Sequence, residues 1–359
     1  MQVDAAALAT FASRVHGLGL DVAAGRRYIR DYADFSWLED GLIGLLRSAH
    51  ENAAAEVDDA LRHLEYLLDK SAFELRFAEH YYVHTDVESA IAMDGTFDGA
   101  PQLYTPLRPE APDPYSPASA WSEPRVHLTD PGEPEASIGD GYVDPLQVFE
   151  LVSPASWLNW LLKETFGFDV IGWITKQFTG DWRALARFGI AAGKLGDCIG
   201  AVGDNLRYAR DEVARHWSGN AASSALAYFT EVAAACAAAQ AALRELSGQY
   251  KEAARGNWLF ANQAAGVITG ITDAAMLGGI GAGLGTLFGW TGIGAWAGGT
   301  LAGSQVVRIT RLIHEATGII QNAGSALSAI AGVVLGMTDL GGLKSLPMPD
   351  HPYDHPGVT

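Results

Sequence analysis

The sequence predicts an all-α protein with two long antiparallel helical hairpins, arranged as separate pairs or as one four-helix bundle, additional short helices and a glycine-rich apolar helical region. Apolar residues make up 48% of the chain, and alanine is abundant while runs of β-branched residues are scarce, which favours helix over sheet. Apolar positions also recur at alternating spacings of three and four in four segments, as in helices that share a buried seam.

Residues 1–93 are predicted to form the first hairpin. After the turn between Asp34 and Gly41, a second apolar pattern runs from Leu42 to Tyr82, and two helices joined by a short turn pack as antiparallel neighbours. The first helix carries one apolar seam, formed by Leu8, Phe11, Val15, Leu18, Val22, Gly25, Ile29 and Tyr32.

A linker is predicted for residues 94–145, because this region holds ten of the fifteen prolines and ten acidic residues against only Arg108 and Arg125. Such a segment buries too little apolar surface to fold alone and is expected to be disordered or draped over the surface. Residues 146–180, rich in aromatic side chains and broken at Gly167 and Gly172, are predicted to form short helices that pack on the bundle.

Residues 181–257 are predicted to form the second hairpin, with one seam between residues 185 and 213 and another between 226 and 250. Between the seams lies Trp217-Ser218-Gly219, where glycine allows the backbone to reverse and the indole can cover the end of the core. Cys198 and Cys236 lie nearly equidistant from this turn. Two buried free thiols are favoured over a disulfide, since Cys198 lies one position off the seam.

Residues 258–344 are predicted to form the glycine-rich apolar region. The 34 positions from 274 to 307 hold no charged residue and eleven glycines, and a second uncharged run covers 316–338. Each run is long enough to cross a bilayer. The tail, residues 345–359, has little apolar content and much proline, and it is predicted to be disordered.

The charge balance and the beginning of the chain restrict partners and export routes. A formal net charge of −18 repels phosphate backbones, so no nucleic acid is expected as a partner. The beginning of the chain carries Asp4 where a Sec signal peptide is positively charged, and it lacks a continuous apolar core and a cleavage site. Sec export is therefore not expected, whereas export by another route stays open.

Two short motifs point to such a route. Trp217-x-Gly219, placed between two long helices, resembles the turn of the WXG superfamily (ESAT-6-like proteins), helical hairpins that are exported by type VII (ESX) secretion systems. The segment from Tyr82 to Asp86 fits the Y-x-x-x-D/E export signal of the same systems, and its spacing of four puts both side chains on one helix face. The first hairpin as a whole resembles the EspC-like family of actinobacterial substrates.

The resemblance covers roughly half of the chain and implies a secreted, non-catalytic protein. In that family the W-x-G turn of one hairpin lies beside the Y-x-x-x-D/E tail of another, and the secretion ATPase reads both. Carried over, Tyr82, Asp86, Trp217 and Gly219 are the expected interaction residues. The order of the two motifs is similar to that of EspB-like single-chain substrates, which look like a fused PE and PPE pair.

The resemblance further implies synthesis in the cytoplasm and secretion or surface display through the type VII system, in virulence or interbacterial competition. The expected partners are the secretion ATPase and either a WXG-type chain or a second copy. The chain departs from the pattern in two places. The first turn has Trp37-Leu38-Glu39 without glycine, and the second hairpin ends in Tyr250-Lys-Glu-Ala-Ala254 without the acid.

Two other readings stay open. In one, the region 274–338 inserts into a membrane as a pore-forming or translocating effector, because small residues four apart allow close helix contact in lipid. The candidate residues for that membrane contact are Leu284, Phe288, Trp290 and Trp296. In the other, the chain is a purely structural helical protein and both motifs are coincidental.

No catalytic site is expected. The sequence has no G-x-S-x-G elbow, no Walker lysine and no Cys-x-x-Cys pair, so neither catalytic residues nor a cofactor are predicted. His80 and His84 have a zinc-ligand spacing, but the H-E-x-x-H glutamate between them is missing and no metal site is predicted.

Overall fold

The computed structural model describes residues 2–34, 41–84, 89, 121–138, 141–150, 156–277, 300–339 and 346–355. Over these residues the protein is almost entirely helical, which confirms the predicted all-α class. The helices are α1 (Ala5–Ala33), α2 (Arg47–His84), α3 (Glu135–Ile138), α4 (Pro145–Glu150), α5 (Ser156–Phe166), α6 (Val170–Gln177), α7 (Trp182–Val213), α8 (Asn220–Leu277) and α9 (Thr300–Asp339). Short 3₁₀ helices cover Leu42–Leu46 and Pro124–His127, and β1 (Gln2–Val3) and β2 (Trp217–Ser218) are two-residue strands.

Helices α1 and α2 run antiparallel along one another. Helix α1 begins at Asp4, whose carboxylate accepts hydrogen bonds from the backbone N–H groups of Ala6 and Ala7. Gly19 in the middle of α1 faces Leu68 in α2, whereas the carbonyl of Ala33 at the end of α1 accepts a hydrogen bond from His50 near the beginning of α2. The predicted seam of α1 is buried from Leu8 to Ile29, as its spacing of three and four requires.

Helices α7 and α8 pair in the same sense, and α7 begins at a second aspartate cap, Asp181. Gly189 of α7 faces Tyr250 of α8, and Gly203 faces Cys236. Helix α8 is 58 residues long, so the predicted boundary after residue 257 lies inside a continuous helix. Cys198 and Cys236 are buried free thiols, and burial raises the pKa of each to about 12.

The two helical pairs share one core. Gly25 of α1 lies against Leu195 of α7, and the imidazole of His50 in α2 contacts the hydroxyl of Tyr250 in α8 at 2.9 Å. Both inter-pair contacts join helices that run in opposite directions. Helices α1, α2, α7 and α8 thus surround a single apolar cluster of buried side chains.

Helix α9 lies along the second half of α8 and reaches the 3₁₀ helix before α2, where Gly324 approaches Leu42. Two helices among the described residues are long and apolar enough to cross a membrane: Asn220–Leu277 contains an 18-residue window of mean hydropathy 1.4 that is 50% buried, and Ser304–Met337 contains one of mean hydropathy 1.5 that is 28% buried. The first is a core helix of the bundle, whereas much of the second faces outward. The predicted membrane residues Leu284, Phe288, Trp290 and Trp296 lie outside the described residues.

The described part of the predicted linker lies on the bundle, across α1 and α7. Arg125 forms an ion pair with Asp21 of α1 at 2.6 Å, and the backbone N–H of Ser122 donates to the side-chain oxygen of Asn205 in α7 at 3.0 Å. Residues 121–138 are thus draped over a groove between two helices, one of the two states expected from their composition.

The tail differs from its prediction, because residues 346–355 lie against the bundle instead of being disordered. Tyr353 is 5% exposed and His355 is 2% exposed. Composition alone underestimates how well such a segment can pack on the bundle. A few aromatic and apolar side chains are enough to hold it where the helices form a groove. Prolines restrict the backbone beforehand, so less conformational entropy is lost when the segment docks.

Candidate functional site

The two predicted motifs meet at one end of the bundle, where the chain begins. Strand β1 pairs antiparallel with β2, with Val3 opposite Trp217, and the backbone N–H of Asp4 donates to the His216 carbonyl at 2.9 Å. This short ladder joins the beginning of the first helical pair to the turn of the second. The turn between α7 and α8 is therefore held on the side of α1 and α2.

The Trp217 turn has a local structural explanation for each of its two motif residues. Gly219 has a φ of +128°, a conformation that side chains other than glycine rarely adopt. Trp217 is only 2% exposed and belongs to the main apolar cluster. The glycine permits the reversal, and the indole covers the end of the core, as the sequence predicted.

Tyr82 lies in the last turn of α2 and contacts this turn directly. The ring centroids of Tyr82 and Trp217 are 6.5 Å apart with an interplanar angle of 73°, an edge-to-face arrangement. Two residues from different helical pairs, predicted as halves of one recognition site, are neighbours in a single chain. Asp86, the acid of the predicted signal, lies outside the described residues.

A larger group of rings surrounds this contact, and we call it the aromatic junction. It comprises Phe11, Tyr81, Tyr82, Trp217, Tyr228, Phe229, Tyr353 and His355. Phe11 of α1 contacts Phe229 of α8 at 4.9 Å, and Tyr353 of the tail contacts both Phe229 and Tyr228 at about 6 Å. The two rings of the tail thereby join two groups of rings, Phe11, Tyr228 and Phe229 on one side and Tyr81, Tyr82 and Trp217 on the other.

Polar contacts in the junction pin the tail to α2. The Ser71 hydroxyl accepts a hydrogen bond from the Tyr353 N–H at 2.9 Å and donates to the Tyr228 hydroxyl at 3.2 Å. The Tyr82 hydroxyl and Nε2 of His355 are 3.1 Å apart. Burial raises the pKa of both Tyr228 and Tyr353, so these hydroxyls stay protonated at neutral pH.

The junction combines aromatic rings and hydroxyls with the imidazole of His355 and a neighbouring acid. Its side chains are aromatic rings and neutral hydroxyls, and Glu74, whose pKa is raised by burial and by nearby Asp354, is an acid on its rim. His80 and His84 lie close to the junction in sequence, with ring centroids 4.1 Å apart. Within the described ranges no group of three or more His, Cys, Asp or Glu side chains is placed to hold a metal ion.

The sequence predicted Tyr82, Trp217 and Gly219 as interaction residues, and it gave no prediction for the tail residues and Ser71 that lie beside them in the structure. The signal in the tail was present as Asp350-His-Pro-Tyr-Asp-His355, where aromatic rings alternate with proline and acid. Ser71 could not be identified from the sequence, because a single serine on a helix surface has a role only through the segment that binds there.

The chain matches no family model, no curated protein and no solved structure. Pointers to function therefore come from the two motifs and from the geometry of the aromatic junction.

Proposed function

We propose that this protein is a substrate or carrier of a type VII secretion system, and that it presents a bipartite export signal formed by the Trp217 turn and the Tyr82–Asp86 segment. The observation that supports this most is the 6.5 Å contact between the rings of Tyr82 and Trp217. Because both halves come from one chain, recognition needs no second subunit to complete the pair.

The two halves play different parts in this proposal. Trp217 is almost fully buried, so it positions the end of α2 instead of touching a partner. Tyr82 is only half-buried and lies where α2 ends, so it and the residues that follow it form the surface that the secretion ATPase contacts. Gly219 acts indirectly, since its backbone conformation keeps Trp217 in place.

The test is secretion from a host with and without its type VII ATPase. We expect Tyr82→Ala and Asp86→Ala to stay inside the cell as folded proteins, and Trp217→Phe, which keeps an aromatic ring, to be exported better than Trp217→Ala. Intracellular amount and helicity by circular dichroism separate loss of export from loss of folding.

The chain offers a matched control for that experiment. Tyr208 and Glu212 also fit the Y-x-x-x-D/E spacing and lie in the last two turns of α7, but there the Tyr208 ring lies 5.6 Å from the Arg14 guanidinium of α1 and is not a member of the aromatic junction. Tyr208→Ala should therefore leave export unchanged. Normal export of the Tyr82 and Asp86 variants, or equal loss in the Tyr208 variant, would remove the assignment.

A membrane-active effector is the second candidate, and α9 favours it. The stretch Ser304–Met337 contains an 18-residue window of mean hydropathy 1.5, and only 28% of that window is buried, so the stretch has the length and composition of a span without being a core helix. Its outward face includes Val307 and Val333, both of which are exposed. In this proposal the region 274–338 inserts into a bilayer or perforates it.

Dye leakage from anionic vesicles tests this candidate. Leakage should increase at low pH, as carboxylates protonate and the repulsion of a chain with net charge −18 weakens. Val333→Lys, which places a charge on the outward face of α9, should abolish leakage, whereas the charge-conserving Arg308→Lys should not. Vesicles that stay intact at every pH would exclude the membrane effector.

A further inference from the structure

The C-terminal segment occupies a long groove between α2 and α8. The groove is lined by Val57, Leu61, Leu64 and Ser71 of α2 and by Ala221, Ala239 and Leu243 of α8. Leu346 and Met348 lie against its apolar half. The segment then runs towards the aromatic junction, where it ends on Tyr82.

Each polar contact along this path is made to a pre-formed helical surface. Nε2 of His63 and the Pro349 carbonyl are 3.0 Å apart, and the Tyr353 hydroxyl donates to the Ala221 carbonyl at 3.4 Å. The Tyr353 N–H donates to Ser71, as described above. Within residues 346–355 there is no helix or strand, so the segment depends on these contacts and on side-chain burial for its position.

These features are those of a bound peptide. Pro347, Pro349 and Pro352 restrict the backbone to extended conformations and remove donors that the groove would otherwise have to satisfy. The segment is held by three kinds of side chain: Leu346 and Met348 at one end, the buried Tyr353 near the other end, and the buried His355 after it. The four long helices around the common core bury their own seams, so we expect the groove to persist when the segment leaves it.

The last anchor lies on the residue that carries the proposed function. His355 is 2% exposed, its ring centroid is 5.5 Å from that of Tyr82, and its Nε2 is 3.1 Å from the Tyr82 hydroxyl. Tyr81, the preceding residue, also contacts the His355 ring, at 6.3 Å. A partner that bound the Tyr82 hydroxyl would have to displace His355 first.

We propose that the groove between α2 and α8 is a binding site for an extended, proline-spaced peptide with tyrosine and histidine anchors, and that residues 346–355 are its resident ligand, covering Tyr82 until they are displaced. The site and its ligand do not depend on the proposed function. The identification of the displacing partner as the secretion ATPase does rest on the proposed function.

The test uses the full chain and a fluorescein-labelled peptide of residues 346–355. In the wild-type chain the attached segment competes at an effective concentration in the millimolar range and should exclude the peptide. Met348→Asp weakens the attached segment at a distance from the aromatic junction. This variant should bind the labelled peptide at least about tenfold more tightly than the wild-type chain does.

Two further arms make the result specific. A peptide with Tyr353→Ala should bind the Met348→Asp chain at least about tenfold more weakly than the wild-type peptide, because buried aromatic anchors dominate such interfaces. Circular dichroism and thermal unfolding establish that the variant chain is folded, and His355→Ala serves as a second opened variant. Equal peptide binding by wild-type and opened chains, or binding by neither, would overturn the proposal.

Export measured on the same variants separates the two proposals. If the opened chains bind the peptide and are exported faster than wild type, the displaced segment covers an export signal. If they bind the peptide while Tyr82→Ala leaves export unchanged, the groove and its ligand stand and the secretion function fails.

Discussion

The two helical pairs of the bundle have the same apolar spacing but are locked together by different means. Between α1 and α2, Asp58 accepts hydrogen bonds from Arg26 and Arg30 at 2.8 and 2.9 Å, and Arg62 of its own helix completes the network at 2.7 Å. Between α7 and α8, glycines on α7 let the backbones approach, and a Cβ at Gly189 or Gly203 would lie less than 3 Å from the Cβ of the facing residue. One pair is fixed by charge and the other by shape.

A heptad-like seam therefore determines that two helices pair. It does not determine how stable the pair is, or how that stability changes with pH and salt. A charge network responds to pH and salt, because its attraction needs ionised carboxylates. Close glycine contacts respond to volume alone. Each of the following substitutions removes one of these contacts, and they are given from the largest expected change in the free energy of unfolding to the smallest.

Gly203→Val should cause the largest loss of unfolding free energy. Its new Cβ would lie 2.8 Å from the Cβ of Cys236 and 3.3 Å from the Ala233 carbonyl, so α7 and α8 would have to separate. Overpacking of this kind costs about 3 kcal/mol of unfolding free energy, which denaturant titration followed by circular dichroism would measure.

Gly248→Ala is the matched control on the other helix of that pair. Nothing lies within 4 Å of a Cβ added there, so only the helix propensity changes. We expect a gain of about 0.5 to 1 kcal/mol. If both glycine substitutions destabilise equally, close contact is not what fixes the second pair.

His50→Ala should cause the next largest loss of unfolding free energy, since His50 joins the pair α1–α2 to the pair α7–α8. Its Nε2–H donates to the Ala33 carbonyl at 2.8 Å, and its Nδ1 accepts from the Tyr250 hydroxyl at 2.9 Å. The substitution leaves a cavity and two buried groups without these partners, at a cost of about 2 to 3 kcal/mol. Thermal and denaturant unfolding at pH 8, where histidine is neutral in both states, would measure it.

The same residue predicts a pH effect. Burial lowers the pKa of His50, so between that pKa and about 6.5 the unfolded chain binds more protons than the folded one. The contribution of His50 is thus retained above about pH 6.5 and declines as the pH falls below it. The stability difference between wild type and His50→Gln should narrow over that window, and a constant difference would show that His50 does not titrate there.

Asp58→Asn should have an intermediate effect on the charge lock. Burial opposes ionisation of Asp58, but hydrogen bonds from Arg26, Arg30 and Arg62 outweigh it and hold the pKa well below its usual range. The stabilisation is therefore present above about pH 4 and is lost as the pH falls through the folded-state pKa. At pH 7 we expect a loss of about 1 to 2 kcal/mol, smaller in high salt.

Asp59→Asn controls for charge at the neighbouring position. The Asp59 carboxylate is well exposed and pairs with the exposed Arg62 at 2.8 Å, so the substitution should change the free energy of unfolding by less than about 0.5 kcal/mol. Equal losses at positions 58 and 59 would mean that net charge, not the buried network, accounts for the effect.

Arg244→Ala should have the smallest effect. Arg244 and Asp197 join α8 to α7 across an exposed surface, with side chains 60% and 40% exposed. Such pairs contribute about 0 to 0.5 kcal/mol, so the second pair should be almost insensitive to this change and to salt. A loss above about 1 kcal/mol would show that charge also holds α7 to α8.

Much of the fold could be predicted because it depends on local spacing. The seams of α1 and α7, the aspartate caps and the Trp217 turn follow from residues within one or two helical turns of each other. The continuous run of α8 past residue 257 could not be predicted, because Trp258 and its neighbours look alike whether the helix continues or breaks there. What continues the helix is its packing against α9.

The sequence by itself determined that the chain is helical, where its seams lie, and that Tyr82, Trp217 and Gly219 stand out, because these properties depend on side chains a few residues apart. Only the tertiary structure decided that Tyr82 contacts Trp217, that His355 covers Tyr82, and that one helical pair is locked by charge and the other by glycine. Those outcomes depend on the shapes of surfaces far apart in the chain, and no local pattern carries that information.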